Sequence, residues 1–240
     1  NKNILKYLYN KSLMKGDAII CNSYFVKDFI EIKYFPSKKI IPIVRGIDIS
    51  YFHDVNKREL KKLSNIILFN PSRISRWKGH LNLLKLFIKF DEKLKNQITL
   101  KFISNHSSKY ELEIDNFINI NSLSSYVIFE KPTNEIKKLY LSSDIVINSS
   151  INRKVFGRTI SKSLALNIPV VGPNLGGVKE QLENFDSNLL YQVYSCESLQ
   201  KALKYTIDNY FDISSKSRDF VIKNFSLEKM IKETIKVYEL

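Results

Sequence analysis

Arg73 and Lys78 flank a short polar stretch just ahead of Gly79 and an apolar-periodic segment. A helix predicted over 79–91 would set both cations at its positive end. There they repel each other unless an anion lies between them, so the placement points to a bound diphosphate. Two exposed loop cations are the alternative. A second stretch, 149–180, reads as loop, the turn Phe156-Gly157-Arg158, a short helix over 159–166 and the apolar strand 168–171. Gly176-Gly177 then opens another helix. A glycine pair turns the backbone tightly and points free N–H groups outward at a helix start, which suits phosphate. A plain packing turn is the alternative there.

The elements that must position these residues alternate at short spacing. Strands are expected at 18–21, 39–44, 65–69, 99–103, 126–129, 144–148, 168–171 and 189–191. Helices are expected at 3–14, 24–32, 79–91, 111–120, 134–141, 159–166, 197–210, 214–224 and 227–238, with Ser226 capping the last. Short apolar strands between helices argue for a parallel α/β sheet wrapped by helices. Ligands of such sheets bind at the carboxyl ends of the strands. The loops 70–78, 104–109, 149–157 and 173–177 all belong there.

Composition narrows the partners. The 240 residues carry a net charge of +14, which favours anionic partners: phosphorylated substrates, acidic lipid or nucleic acid. Lys, Asn and Ile are abundant throughout, so compositional drift also accounts for the excess. No basic block interleaved with aromatics stands out, so no nucleic-acid partner is expected. Peripheral contact with anionic membrane lipid fits better. No apolar run reaches the length of a membrane span, and no signal peptide is visible. The sequence begins with Asn rather than Met, which raises the expectation of a missing upstream part. Cys21 and Cys196 are far apart and form no ligand motif, which points to a reducing compartment. His53, His80 and His106 are scattered, each reading as a surface histidine, so no metal site is expected.

The stretch 149–180 resembles the donor-binding signature of family 4 glycosyltransferases, whose GT-B fold pairs two Rossmann-like domains. The segment from Asn70 to His80 resembles the family's Gly-Arg…Lys-Gly loop, and Phe225-Ser226-Leu227-Glu228 the start of its last helix. The resemblance implies a GT-B carboxyl-terminal domain, with a Rossmann-like parallel sheet, over 49–225. Residues 1–48 would be a remnant of the amino-terminal acceptor domain, and 226–240 a helix crossing back to it. It implies a nucleotide-diphosphate sugar as donor, no cofactor and no metal. Arg73 and Lys78 would hold the diphosphate, with Phe156, Gly157, Gly176 and Gly177 around it. Arg45, in the turn Arg45-Gly46-Ile47-Asp48, would touch phosphate or sugar, or else be a solvated linker arginine. The activity implied is retaining hexosyl transfer to lipopolysaccharide or another envelope glycan or glycolipid, at the inner face of a bacterial cytoplasmic membrane.

Two departures stand out. Active retaining members carry a glutamate on each side of the Phe-Gly turn; aligned on Phe156-Gly157, those positions are Lys154 and Lys162. A carboxylate accepts hydrogen bonds from sugar hydroxyls, whereas an ammonium donates. Family glycines are also replaced, by Ser72, by Ser104 and by Asp186-Ser187-Asn188. Three readings follow: the donor-binding half of a glycosyltransferase, truncated or impaired; a degenerate pseudoenzyme that keeps the fold; and a basic module for anionic partners.

Overall fold

The computed structural model describes residues 2–12, 15–54, 65–152 and 156–239. Leu13 and Met14 of the first expected helix, the lysine-rich run 56–62 and Lys154 lie outside the described residues. The chain opens with α1 (Lys2–Ser12), β1 (Ala18–Cys21), α2 (Tyr24–Tyr34) and β2 (Lys39–Pro42). There follow β3 (Ile66–Arg73), α3 (His80–Phe87), α4 (Glu92–Gln97), β4 (Ile98–Ile103), α5 (Lys109–Ile120), β5 (Val127–Glu130) and α6 (Ile136–Leu141). Next are β6 (Ile145–Ile147), α7 (Arg158–Ala165), β7 (Val170–Pro173), α8 (Gly176–Glu183) and β8 (Leu190–Tyr191). The chain closes with α9 (Cys196–Asp208), α10 (Tyr210–Phe225) and α11 (Leu227–Tyr238).

Strands β3 to β8 form one sheet in the order β5-β4-β3-β6-β7-β8, every pairing parallel. The alternation of a strand's side chains divides its residues between two cores. Ile66, Leu68, Leu100, Phe102, Ile145, Ile147 and Val171 pack with α3, α4, α5 and α9. Phe69, Val146 and Val170 pack with α7, α8 and α10 on the other face. Both faces are covered, which is why Ile66–Phe69, Ile145–Ile147 and Val170–Val171 read as apolar runs. The chain leaves β3 toward β5, then returns to β6 on the far side of β3. The carboxyl ends of β3 and β6 therefore diverge into a crevice, where open α/β sheets bind their ligands.

Strands β1 and β2 form a separate two-stranded parallel sheet backed by α2, with a small core of Ile19, Cys21 and Ile40. The Glu180 carboxylate of α8 accepts from the Tyr24 and Phe25 N–H groups at 3.2 and 3.1 Å, at the positive end of α2. The two chain crossings are also joined: Ile47 N–H donates to the Phe225 carbonyl at 2.9 Å, and Leu227 N–H to the Ile47 carbonyl at 3.0 Å.

Arg218 of α10 fastens the first crossing to the large sheet. Its Nη1 donates to the carbonyls of Phe52 and Ala165 at 2.8 and 2.9 Å, and its Nη2 to that of Ile49 at 3.2 Å. Charged donors to three carbonyls make this a strong tie. Arg218→Ala is expected to lower unfolding stability by about 2–4 kcal/mol, because the carbonyls lose their donor in a half-buried place. A shift in the urea midpoint measures it, and an unmoved midpoint would refute the role.

Several expectations need correction. The apolar run ends at Phe69, but β3 continues to Arg73, through Pro71. Proline lacks a ladder donor, and the sheet accommodates it by a register break: Asn70 faces Phe102, while Arg73 faces the next residue, Ile103. The helix expected over 79–91 stops at Phe87, and α4 starts anew where Asp91 caps the Leu94 N–H at 2.9 Å. The strand expected over 168–171 sits two residues later, at Val170–Pro173. His80 is no surface residue: it is fully buried, edge-on to Phe102 at 5.2 Å. Its polar side chain gave no sign of that. His53 and His106 are exposed, as expected.

Candidate active site

The register break at Pro71 lifts Arg73 to the rim of the crevice. Behind it, a buried network fixes the loop. Ser72 donates its hydroxyl to Asn70 Oδ1 at 2.7 Å, the Asn70 amide donates to Ser149 Oγ at 2.6 Å, and Ser149 donates to the Lys78 carbonyl at 2.8 Å. Ser72, which replaces a glycine of the resembled family, thus has a hydrogen-bonding role of its own. The Ile151 N–H adds a bond to the Trp77 carbonyl at 3.2 Å. The loops after β3 and β6 are thereby held as one unit. The 3-10 turn Arg76–Lys78 ends on Gly79, whose φ is +75°. A Cβ at Gly79 would collide with the Ser149 carbonyl oxygen.

A cleft of about 610 Å³ opens over these loops. Arg45, Arg73, Lys78, Phe156, Gly157 and Lys162 all line it, together with Arg158 and Thr159. Residues from the first crossing, the β3 loop and α7 are thus gathered in one place. Gly176 and Gly177 are not. They start α8, where Gly176 has a φ of +51° and Gly177 is buried, but neither lines the cleft. The helix they open, α8, packs on β7 and β8.

Gly157 is needed for close approach: a Cβ there would lie 3.0 Å from Val178 and 3.1 Å from Ile160. Phe156 rests edge-on against Phe225, with ring centroids 5.8 Å apart. Lys78 places its Nζ 4.2 Å from the centroid of the Trp77 ring. The loop's remaining arginine, Arg76, turns away, pairing with Glu113 at 2.7 Å and stacking on Tyr110.

Sequence reasoning passed over Asn22, Tyr140 and Thr159 as lining residues. Burial pushes the Tyr140 hydroxyl far above the usual tyrosine range, so it stays neutral beside Thr159, its hydrogen-bond partner. Tyr140 is held by α6, whose end is tied by Lys101. That buried Nζ donates to the Ser142 carbonyl at 3.0 Å and to the hydroxyls of Ser142 and Ser143 at 2.8 and 3.1 Å. A lysine inside the apolar strand Ile98–Ile103 was the available signal.

Lys162 lies one helical turn beyond Arg158, its Nζ 4.9 Å from the centroid of the Phe52 ring. Burial, and secondly the field of Arg158, push its ammonium below the ordinary lysine value of 10.5. The folded chain thus gives up this proton before the unfolded chain does, so stability rises with pH between the lowered value and 10.5. A bound anion favours the charged form and draws the proton back. Pyrophosphate affinity is therefore expected to fall as pH rises through the Lys162 transition, and to fall less in Lys162→Gln. Calorimetry at neutral and alkaline pH checks this; parallel curves for the two proteins would count against it.

The sequence family described as "Glycosyl transferases group 1" matches residues 53–235, more than half of the chain. The chain belongs to this family. An uncharacterized glycosyltransferase of Methanocaldococcus jannaschii is 26% identical over 254 residues, covering 99% of this chain and 63% of that protein. A glycosyltransferase from Rickettsia africae superposes with a TM-score of 0.84 at 26% identity, over 97% of this chain and 66% of that one. The Anabaena protein HepE, solved in complex with UDP, superposes with a TM-score of 0.79 at 19% identity, over 93% of this chain and 64% of that one. The fold is that of the GT-B glycosyltransferases, and the chain spans 63 to 66% of the length of the first two relatives. No described helix of the chain is long and apolar enough to cross a membrane.

Proposed function

We propose that this chain is the donor-binding part of a retaining family 4 glycosyltransferase that takes its sugar from a nucleotide-diphosphate sugar. The observation that carries the reading is the meeting of Arg73, Lys78 and the Phe156-Gly157 turn in one cleft at the crevice between β3 and β6. The HepE complex with UDP, a fold neighbour, supports a nucleoside diphosphate as ligand. In the reaction the bond from the anomeric carbon to the diphosphate breaks. A bond to an acceptor hydroxyl oxygen forms on the same face, the acceptor loses its proton, and nucleoside diphosphate leaves. Arg73 and Lys78 neutralise the charge that builds on that leaving group. The chemistry asks for no metal. Residues 1–48 are the end of the acceptor domain, and α11 is the helix that crosses back to it. The acceptor is an envelope glycan or glycolipid, such as lipopolysaccharide, met at the cytoplasmic face of a bacterial membrane. The basic surface supports contact with anionic lipid.

One observation favours a second reading, a pseudoenzyme that binds donor without transferring it. Lys162 stands in the cleft where the family's glutamate accepts hydrogen bonds from the ribose hydroxyls, and an ammonium can only donate. Calorimetric titration with UDP, GDP and ADP tests the shared core of both readings. Binding of one of the three supports the donor site, and no binding of any removes it. Given binding, turnover of the matching nucleotide sugar separates enzyme from pseudoenzyme.

A further inference from the structure

Arg45, Arg73, Lys78, Arg158 and Lys162 all line the cleft, and no carboxylate is among its described lining residues. The cations fall into groups by element. Arg73 and Lys78 stand on the β3 loop. Arg158 and Lys162 stand on α7, four positions apart, so one helix face presents both to the same space. Like charges at that spacing repel, and the field of Arg158 on the Lys162 ammonium is that repulsion. A nucleotide sugar with a neutral sugar brings the charge of its diphosphate alone, which one group of cations suffices to meet. We infer that the cleft takes a donor with a second anionic group, separate from the diphosphate, and that Arg158 and Lys162 receive it. The inference rests on the donor-site reading and names the substrate class of that site. A carboxylate on the sugar and a phosphate on the ribose share this chemistry.

Two matched pairs of probes separate these sources by calorimetry at low salt. One is UDP-glucuronate against UDP-glucose, or GDP-mannuronate against GDP-mannose if guanine is the base. The other is the nucleoside 3′,5′-bisphosphate against its 5′-monophosphate. In one pair the member with the additional anionic group is expected to bind about 10-fold tighter, the range of a charge-assisted hydrogen bond. Lys162→Gln and Arg158→Gln should each cut that gain, while Arg76→Gln, outside the cleft, keeps it. A gain in neither pair, or one that survives Lys162→Gln, overturns the inference and leaves the donor-site reading intact. Failure of UDP, GDP and ADP alike to bind overturns both.

Discussion

Nucleoside diphosphate binding is expected to weaken about 100-fold or more when Arg73 and Lys78 are both replaced by alanine, since each charge-assisted hydrogen bond to an anion contributes about 1.5–3 kcal/mol. The effect should be confined to binding. Arg73 is exposed at the end of β3, and Lys78 is half-buried on the Trp77 ring, so neither supports the core. The buried network beneath them uses the side chains of Asn70, Ser72 and Ser149 and the carbonyl of Lys78, all of which the double variant retains. The melting temperature should stay close to that of the parent. The single variants should not sum to the double, because both cations act on one anion. Lys78→Arg should keep part of the affinity. Undiminished binding in a folded double variant would move the anion away from the β3 loop and withdraw the assignment of these two residues.

Gly79→Ala is expected to cost about 2–4 kcal/mol of stability, from the left-handed backbone and the steric overlap together. Both causes act at one atom. The φ of +75° disfavours any Cβ, and the Cβ would run into the Ser149 carbonyl oxygen. That oxygen cannot retreat freely, because the Ser149 side chain is held between Asn70 and Lys78. Relief requires the two loops to part, so nucleotide affinity should fall with stability. Gly16→Ala is the control: its nearest neighbour would be the Ala18 carbonyl at 3.4 Å, an ordinary contact. That change should stay within about 0.5 kcal/mol. Urea denaturation of the three proteins decides the matter; equal losses at Gly79 and Gly16 would refute the steric account.

Some of this protein follows from residues close together in the chain. Ala18–Cys21 and Leu227–Tyr238 form as read, the second because Ser226 caps it and apolar residues recur at helical spacing. The alternation of strands and helices, and with it the parallel α/β sheet, was legible for the same reason. So were the types of residue that hold an anion: Arg73, Lys78, and glycines where the backbone turns. Proline reads locally as a break, which hid the passage of β3 through Pro71. A histidine reads as surface, which hid the burial of His80. The cleft itself belongs to the tertiary structure. Arg45, Arg73 and Lys162 share it because the order of strand addition reverses between β3 and β6, and because Arg218 pins the first crossing to α10. Gly176 and Gly177 do not line it. Capping and periodicity act over a few residues and are written in the sequence. Strand order is decided by which apolar faces can be buried together, and contacts between distant segments, not local preferences, choose the residues that meet.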